Sequence, residues 1–158
     1  MMQECAEKHG WTKFISMQNH YSLLYREEER EMNPYCQLTG VGLIPWSPLA
    51  RGHLARPLSD QGSTERSKGE GDSKTLTGHG DVDRQIIERV QELAKKHDWK
   101  MSQVALAWIN TKVASPIVGF SSIERMDESL DVRGKTLTED EIKYLEEPYQ
   151  PRAIEGHN

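Results

Sequence analysis

The segment 40–52 joins an apolar, partly β-branched run directly to a loop of mixed chemistry. Val41, Leu43 and Ile44 are typical of a buried parallel strand, which is apolar along its length because both of its faces are covered. Pro45 then ends the hydrogen-bond ladder of the strand, because proline has no N–H to donate. A strand of this kind requires layers on both sides of its sheet. The segment therefore predicts an α/β fold.

The loop after this strand combines groups that could hold a phosphate-bearing ligand. Ser47 and the backbone N–H groups can donate to an anion, Arg51 can pair with it, and Gly52 allows a close approach of the backbone. Trp46 offers a flat face to a flat ring. The same residues also fit a structural turn, with Trp46 in the core and Ser47 and Pro48 opening an ordinary loop. A single motif is only a hypothesis, so both interpretations stay open.

Apolar spacing, capping residues and turn residues predict alternating helices and strands. The predicted helices are 2–9, 24–38, 82–97, 101–110 and 123–130, followed by a capping box over 136–141 and a last helix that reaches about 147. The predicted strands are 14–18, 41–44 and 114–118. Such alternation indicates parallel βαβ units with right-handed crossovers. Three strands are too few to close a barrel, which takes about eight.

Three further stretches carry expectations of their own. Residues 55–80 are rich in Gly, Ser, Thr, Asp and Lys and predict a long loop, either a mobile flap over a ligand or a disordered segment. The acidic run 27–31 is expected to form a solvated outer face of its helix. Residues 152–158 are expected to form a loose tail.

Polar residues gather at two of the predicted strand ends. Residues 18–21 follow the first strand, a position typical of sites in α/β folds, although Asn19 could simply initiate a turn. Residues 119–122 form a Gly-Ser turn before the helix 123–130, and a helix N-terminus of this kind is suited to an anion, with Arg125 one turn further on. The serines of that turn could also act only as an N-cap.

Length and composition narrow the class of protein. The chain has 158 residues, which suits a single domain over 1–158, and its net charge of −5 argues against nucleic-acid binding. No apolar run reaches about 18 residues, so no membrane span is predicted, and no signal peptide is visible. Cys5 and Cys36 are too few for a disulfide framework, which favours a reducing compartment, most simply the cytoplasm.

Several long motifs, taken in order, resemble the aldo-keto reductases, in particular the fungal and bacterial branch that includes aryl-alcohol dehydrogenase-like proteins. Residues 14–32 resemble the sixth strand and following helix of that family, 44–52 the loop after the seventh strand, and 116–129 the eighth strand and its cofactor helix. The resemblance runs from residue 6 to about 151. It implies a partial (β/α)8 TIM barrel, about the last three βα units, that binds NADP at the C-terminal ends of its strands.

The resemblance also implies a set of cofactor-binding residues. They are Gln18 at the carboxamide, Trp46 stacked on the nicotinamide, Ser47, Leu49 and Gly52 along the pyrophosphate with Arg51 nearby, Ser121 and Arg125 at the 2′-phosphate, and Glu128 and Ser129 at the adenine end. Ser129 departs from the family pattern, because many relatives carry Asn there. This departure weakens the implied adenine contact.

The resemblance places the catalytic Asp, Tyr, Lys and His tetrad of the family in the first half of the barrel, so no catalytic residue is predicted in this chain. One hypothesis is therefore an NADP-dependent oxidoreductase of an aldehyde, ketone or alcohol, either completed by another polypeptide that supplies the tetrad or represented here by a shortened gene product. The second is a non-catalytic remnant or assembly partner that binds NADP weakly. Its open strand edges then favour self-association or pairing with a complementary half-barrel.

A metal hydrolase is the least favoured function. The chain has six histidines, but none shows the helical i, i+4 pairing with a carboxylate that such a site needs. No metal site is predicted.

Overall fold

The computed structural model describes residues 2–60 and 80–155, so most of the predicted loop 55–80 lies outside the described residues. Within them the α-helices are α1 (Met2–Lys8), α2 (Met32–Thr39), α3 (Gly80–His97), α4 (Met101–Asn110), α5 (Ile123–Leu130) and α6 (Glu139–Glu146). The strands are β1 (Ser16–Met17) and β2 (Gly42–Leu43), and short 3-10 helices cover Glu27–Arg30, Ala50–Ala55 and Leu58–Asp60. None of these helices is both long and apolar enough to cross a lipid bilayer.

The strands are parallel and shorter than predicted. The register places Ser16 opposite Gly42 and Met17 opposite Leu43. On the other side of β2, the N–H of Ile117 donates to the carbonyl of Pro45 at 2.8 Å, so the segment 114–118 continues the same parallel arrangement. The described residues thus form an α/β unit whose central strand is the predicted buried one.

The core is centred on α3 and α4, whose lengths agree closely with the predicted helices. The buried side chains of α3 follow the helical spacing of one face: Asp83, Ile86, Ile87, Val90, Leu93 and Ala94. α4 is buried on all sides, and its Trp108 is fully enclosed, with the indole N–H donating to a carboxylate oxygen of Glu146 at 2.8 Å. This core joins α3 and α4 to each other, to α6 and to the 3-10 helix Ala50–Ala55.

The predicted helix 24–38 is wrong as a single helix. The chain forms a 3-10 turn over Glu27–Arg30 and starts α2 only at Met32, with Glu31 at φ −144° between them. A tight turn precedes the break, since Ser22 and Tyr25 exchange backbone hydrogen bonds at 3.0 and 3.1 Å. The local sequence has helical periodicity, but contacts with distant parts of the chain interrupt it.

Glu27 shows which contacts these are, and it contradicts the predicted solvated face. Its side chain is buried and accepts hydrogen bonds from the Tyr149 hydroxyl at 2.6 Å and from the Arg152 backbone N–H at 2.9 Å. Arg30 adds an ion pair at 2.6 Å. Burial by itself would raise the pKa of Glu27, but these hydrogen bonds and the Arg30 charge lower it. The acidic run therefore anchors the C-terminal segment.

The sequence predicts a loose segment from residue 152 onward. Arg152 is instead only 6% exposed, and its guanidinium binds Asp83 of α3 at 2.6 Å. The N–H of Glu155 donates to the Tyr25 hydroxyl at 3.1 Å. Residues 156–158 of the predicted tail lie outside the described residues. Through residue 155, the segment therefore lies against the C-terminal end of the sheet.

The buried carboxylate of Glu141 is expected to make stability fall in acid. Burial would raise its pKa, but hydrogen bonds from Lys96, the Thr138 backbone and His97 lower the pKa from 4.5 to about 2. A lowered folded-state pKa stabilises the fold above about 4.5, and this contribution is lost as the pH falls toward 2. We expect a loss of the order of 2–3 kcal/mol in the free energy of unfolding.

Urea denaturation at pH 7 and at about pH 3 measures this loss. In Glu141→Gln the difference between the two pH values should shrink, because glutamine does not titrate. Glu139→Gln is the matched control, since Glu139 is exposed in the first turn of the same helix. The prediction fails if both variants keep the full pH dependence of the unsubstituted chain.

Candidate functional site

The C-terminal ends of the three parallel segments meet around Trp46. Trp46 forms parallel bridges with His20, after β1, and with Ile117. Its backbone N–H donates to the Asn19 carbonyl at 2.9 Å. Gln18 lies at the same end of β1, where its side chain is exposed. The structure therefore brings the two residues implied for the nicotinamide end to one edge of the sheet.

Trp46 is 41% exposed and is therefore not the core aromatic of the alternative interpretation. His20 covers one of its faces, with ring centroids 4.1 Å apart and planes 9° from parallel. Because that face is covered, a ligand would have to approach the opposite face or the ring edge. A flat ligand ring has room to stack there.

The loop that follows has an unusual backbone. Ser47, Ala50 and Arg51 have φ values of 59°, 47° and 55°, which non-glycine residues rarely adopt. Gly52, at φ 98°, has the left-handed conformation that glycine favours. Such strain is concentrated at ligand-binding and active sites, so a cluster of three non-glycine residues supports a ligand loop over an ordinary turn.

Hydrogen bonds inside the loop hold this conformation. The N–H groups of Ala50 and Gly52 donate to the carbonyls of Ser47 and Leu49 at 2.9 and 2.8 Å. The Arg51 N–H donates to the Ser47 hydroxyl oxygen at 3.3 Å. These three N–H groups are therefore used within the loop, which the sequence interpretation missed. The Ser47 O–H and the positively charged Arg51 guanidinium are the side-chain groups of this loop whose chemistry suits an anion.

Arg56 is a neighbour of this loop that sequence reasoning missed. A Cβ atom on Gly52 would lie 3.0 Å from the Arg56 guanidinium Nη2. Glycine at this position therefore serves both the positive φ and the close approach of Arg56. Composition offers no signal for Arg56, because its approach depends on the kink of the backbone at residues 51–52.

The N-terminus of α5 brings Ser121 and Arg125 together. The Arg125 guanidinium donates to the Ser121 hydroxyl at 2.9 Å, and both side chains are exposed. Ser122 is the N-cap, and its side chain accepts from the Arg125 N–H at 3.4 Å. Ser122 therefore caps the helix, and Ser121 lies beside the Arg125 guanidinium. The anion site at this helix N-terminus stays a prediction.

The other two residues implied at this end make contacts within the protein. The Glu128 carboxylate accepts from the Ser102 hydroxyl, and its backbone carbonyl accepts from the Gln103 side chain at 3.0 Å. The Ser129 hydroxyl donates to the Arg125 carbonyl one turn earlier, at 2.9 Å. Glu128 therefore joins α5 to α4, and Ser129 is bonded to its own helix.

Charges at the two ends of the site differ. Burial, followed by the charges of Arg51 and Arg152, lowers the pKa of His20 from 6.5 to about 4, so its ring is neutral at pH 7. At α5, hydrogen bonds from its own N–H and from Ser122 lower the pKa of the exposed Glu124. That carboxylate shares the helix N-terminus with Arg125.

Across 2–60 and 80–155 no group of three or more His, Cys, Asp or Glu side chains could hold a metal ion.

Comparison with known proteins identifies the family. Residues 1–150 match the aldo/keto reductase family model. The chain is 56% identical, over 99% of its length, to the aldo-keto reductase dtxS3 of Metarhizium robertsii. It is 54% identical, over 98%, to a putative aryl-alcohol dehydrogenase, C977.14c, of Schizosaccharomyces pombe. It is 48% identical, over 97%, to the versiconal hemiacetal acetate reductase of Aspergillus parasiticus.

The chain spans only 42%, 44% and 45% of the lengths of these three relatives. The family implies a (β/α)8 barrel, and the α/β unit of the described residues is consistent with part of one. The resemblance found in the sequence is confirmed by these matches. This chain belongs to the aldo/keto reductase family.

Proposed function

We propose that this chain forms the NADP-binding part of an aldo-keto reductase, corresponding to about the last three βα units of its barrel. The observation that carries the proposal is the half-exposed Trp46 ring at the meeting point of the strand ends. The strained loop 47–52 beside it supports a phosphate subsite, and the Ser121–Arg125 pair supports a second one. The residues present fit a dinucleotide that bears a 2′-phosphate.

Each end of the cofactor has residues suited to hold it. Trp46 would stack on the nicotinamide and Gln18 would hold the carboxamide, while Ser47 and Arg51 would bind the pyrophosphate. Arg125 and Ser121 would bind the 2′-phosphate. Glu128 and Ser129 would reach the adenine only by giving up their present hydrogen bonds, so we assign them a positioning role for α5. When bound, NADP supplies or accepts the hydride.

The substrate would be an aldehyde, a ketone or an alcohol. We assign no catalytic residue to this chain, and we place the Asp, Tyr, Lys and His tetrad of the family in the remaining part of the barrel. The cytoplasmic location stays a prediction.

A second candidate function is that of an assembly partner without activity of its own. Ile15, beside the edge strand β1, is 83% exposed, and Ile123 and Leu130 on one face of α5 are 71% and 52% exposed. Exposed apolar side chains beside an edge strand and on one face of a helix call for a covering surface. We propose that a complementary half-barrel provides it. Association that rises with concentration in the isolated chain, without any cofactor binding, would favour this function alone.

Titration with NADPH tests the proposed function, with intrinsic tryptophan fluorescence as the readout. We expect saturable quenching that is stronger with NADPH than with NADH, and that is lost in Trp46→Ala because the stacking face is removed. Trp11→Ala is the matched control, since Trp11 is also exposed but stacks on His9 beyond α1. No binding at millimolar NADPH, a binding free energy weaker than about −4 kcal/mol, would contradict the proposal.

A further inference from the structure

A stack of three rings supports Trp46 from the interior. The His20 ring lies between the rings of Tyr25 and Trp46, with centroid distances of 4.3 and 4.1 Å and interplanar angles of 12° and 9°. Tyr25 is buried at the inner end, and Trp46 is half-exposed at the outer end. His20 therefore has an aromatic ring on each of its two faces.

We propose that His20 is a positioning residue of the cofactor site, which fixes the plane of the Trp46 indole so that a flat, electron-poor ring can stack on its outer face. This inference rests on the proposed function, because the ring concerned is the nicotinamide of NADP. It adds a residue outside the set implied by the family resemblance. His20 itself does not touch the cofactor.

The anchoring of the stack supports this role. The backbones of His20 and Trp46 are joined by the parallel bridge, and the Tyr21 N–H donates to the Trp46 carbonyl at 3.4 Å. At the inner end, the Tyr25 hydroxyl accepts from the Glu155 N–H at 3.1 Å. Both ends of the stack are therefore fixed. Removal of the imidazole would leave a gap one ring thick, into which the indole could tilt.

The charge of His20 matters as much as its shape. The charged groups around it are Arg51 of the strained loop, Arg152 of the C-terminal segment and the Glu155 carboxylate, whose oxygen lies 3.9 Å from the imidazole Nδ1. At neutral pH the His20 imidazole is uncharged. An uncharged ring beneath the indole leaves the outer face of Trp46 attractive to the cationic nicotinamide of oxidised NADP.

The test compares two ligands and two variants by calorimetric titration. Oxidised NADP contains the nicotinamide, and adenosine 2′,5′-bisphosphate contains the 2′-phosphate without it. His20→Ala should bind oxidised NADP about tenfold more weakly and should bind the bisphosphate unchanged. His20→Phe, which restores a flat uncharged ring, should recover the affinity to within about threefold. Recovery in His20→Phe would show that the flat ring at position 20 is what the site needs. A role of His20 in protein stability alone would not predict a loss confined to oxidised NADP.

The outcomes separate the two proposals. If the unsubstituted chain binds neither ligand, the proposed function fails and this inference fails with it. If it binds oxidised NADP, and His20→Ala binds both ligands normally or weakens both equally, the inference alone is overturned. In the free chain, the fluorescence contributed by Trp46 should also titrate with a midpoint near 4, and this titration should be absent in His20→Phe. A titration unchanged in His20→Phe would overturn the inference.

Discussion

Replacement of Arg152 with methionine is expected to lower the free energy of unfolding by about 3–5 kcal/mol. The side chains of Arg152 and Asp83 are 2% and 1% exposed, and the guanidinium lies 2.6 Å from the carboxylate. Methionine keeps the apolar stem but removes the charge that compensates the buried carboxylate. A fold of this size is stable by about 5–15 kcal/mol, so the loss is a large share of the total. Urea denaturation at pH 7 measures it.

The matched control is Lys13→Met, which removes one charge from an exposed ion pair. Lys13 and Glu7 lie 2.9 Å apart with side chains 47% and 69% exposed, so we expect a change below about 1 kcal/mol. The double replacement of Asp83 with leucine and Arg152 with methionine should recover part of the loss, because no buried charge then remains uncompensated at this pair. Equal effects of Arg152→Met and Lys13→Met would contradict the buried-pair argument.

The helices that sequence predicts well are those whose determinants are local. In α3, apolar residues recur at helical spacing from Ile86 to Leu93, and in α6 the capping box joins Thr138 to Glu141, three residues apart. The serine cap of α5 is equally local. These signals lie within one or two turns, so a single sequence contains all of their information.

The region 24–38 was mispredicted because its partners are distant in sequence. Arg26 binds Glu146, and Glu27 binds Tyr149, across separations of 120 and 122 residues. A local pattern of acidic residues looks the same on a solvated face and in a buried network. Only the tertiary fold decides between them, here by placing the C-terminal segment against this turn.

Some parts of the candidate site can also be predicted from local sequence, whereas others depend on the tertiary fold. Trp46 and the loop after it can be recognised in the sequence by their residue types. Ser121 and Arg125 are four residues apart at the start of a helix, so their proximity can also be predicted from the sequence. The stack on His20 depends on the register between β1 and β2, which a single sequence does not specify. Whether residues 61–79 close over a ligand stays a prediction, because they lie outside the described residues.

Replacement of Arg125 with alanine is expected to weaken NADPH binding by about 10- to 100-fold while leaving NADH binding unchanged. A hydrogen bond to a charged phosphate contributes about 1.5–3 kcal/mol, and only NADPH carries the 2′-phosphate. The Ser121 hydroxyl, 2.9 Å from the guanidinium, holds it at the start of α5. Calorimetric titration with both cofactors, at the same ionic strength, measures the preference.

Two further variants separate a phosphate contact from a general loss of positive charge. Arg133→Ala removes the same charge from an exposed residue just after α5, so NADPH affinity should change little. Glu124→Gln acts in the opposite direction, since its carboxylate competes with a phosphate for the same helix N-terminus, and NADPH binding should strengthen while NADH binding stays constant. Equal losses for both cofactors in Arg125→Ala, or an equal loss in Arg133→Ala, would place the 2′-phosphate elsewhere. An increase in Glu124→Gln together with a decrease in Arg125→Ala would locate it at this helix, because the two side chains share the N-terminal turn and differ in the sign of their charge.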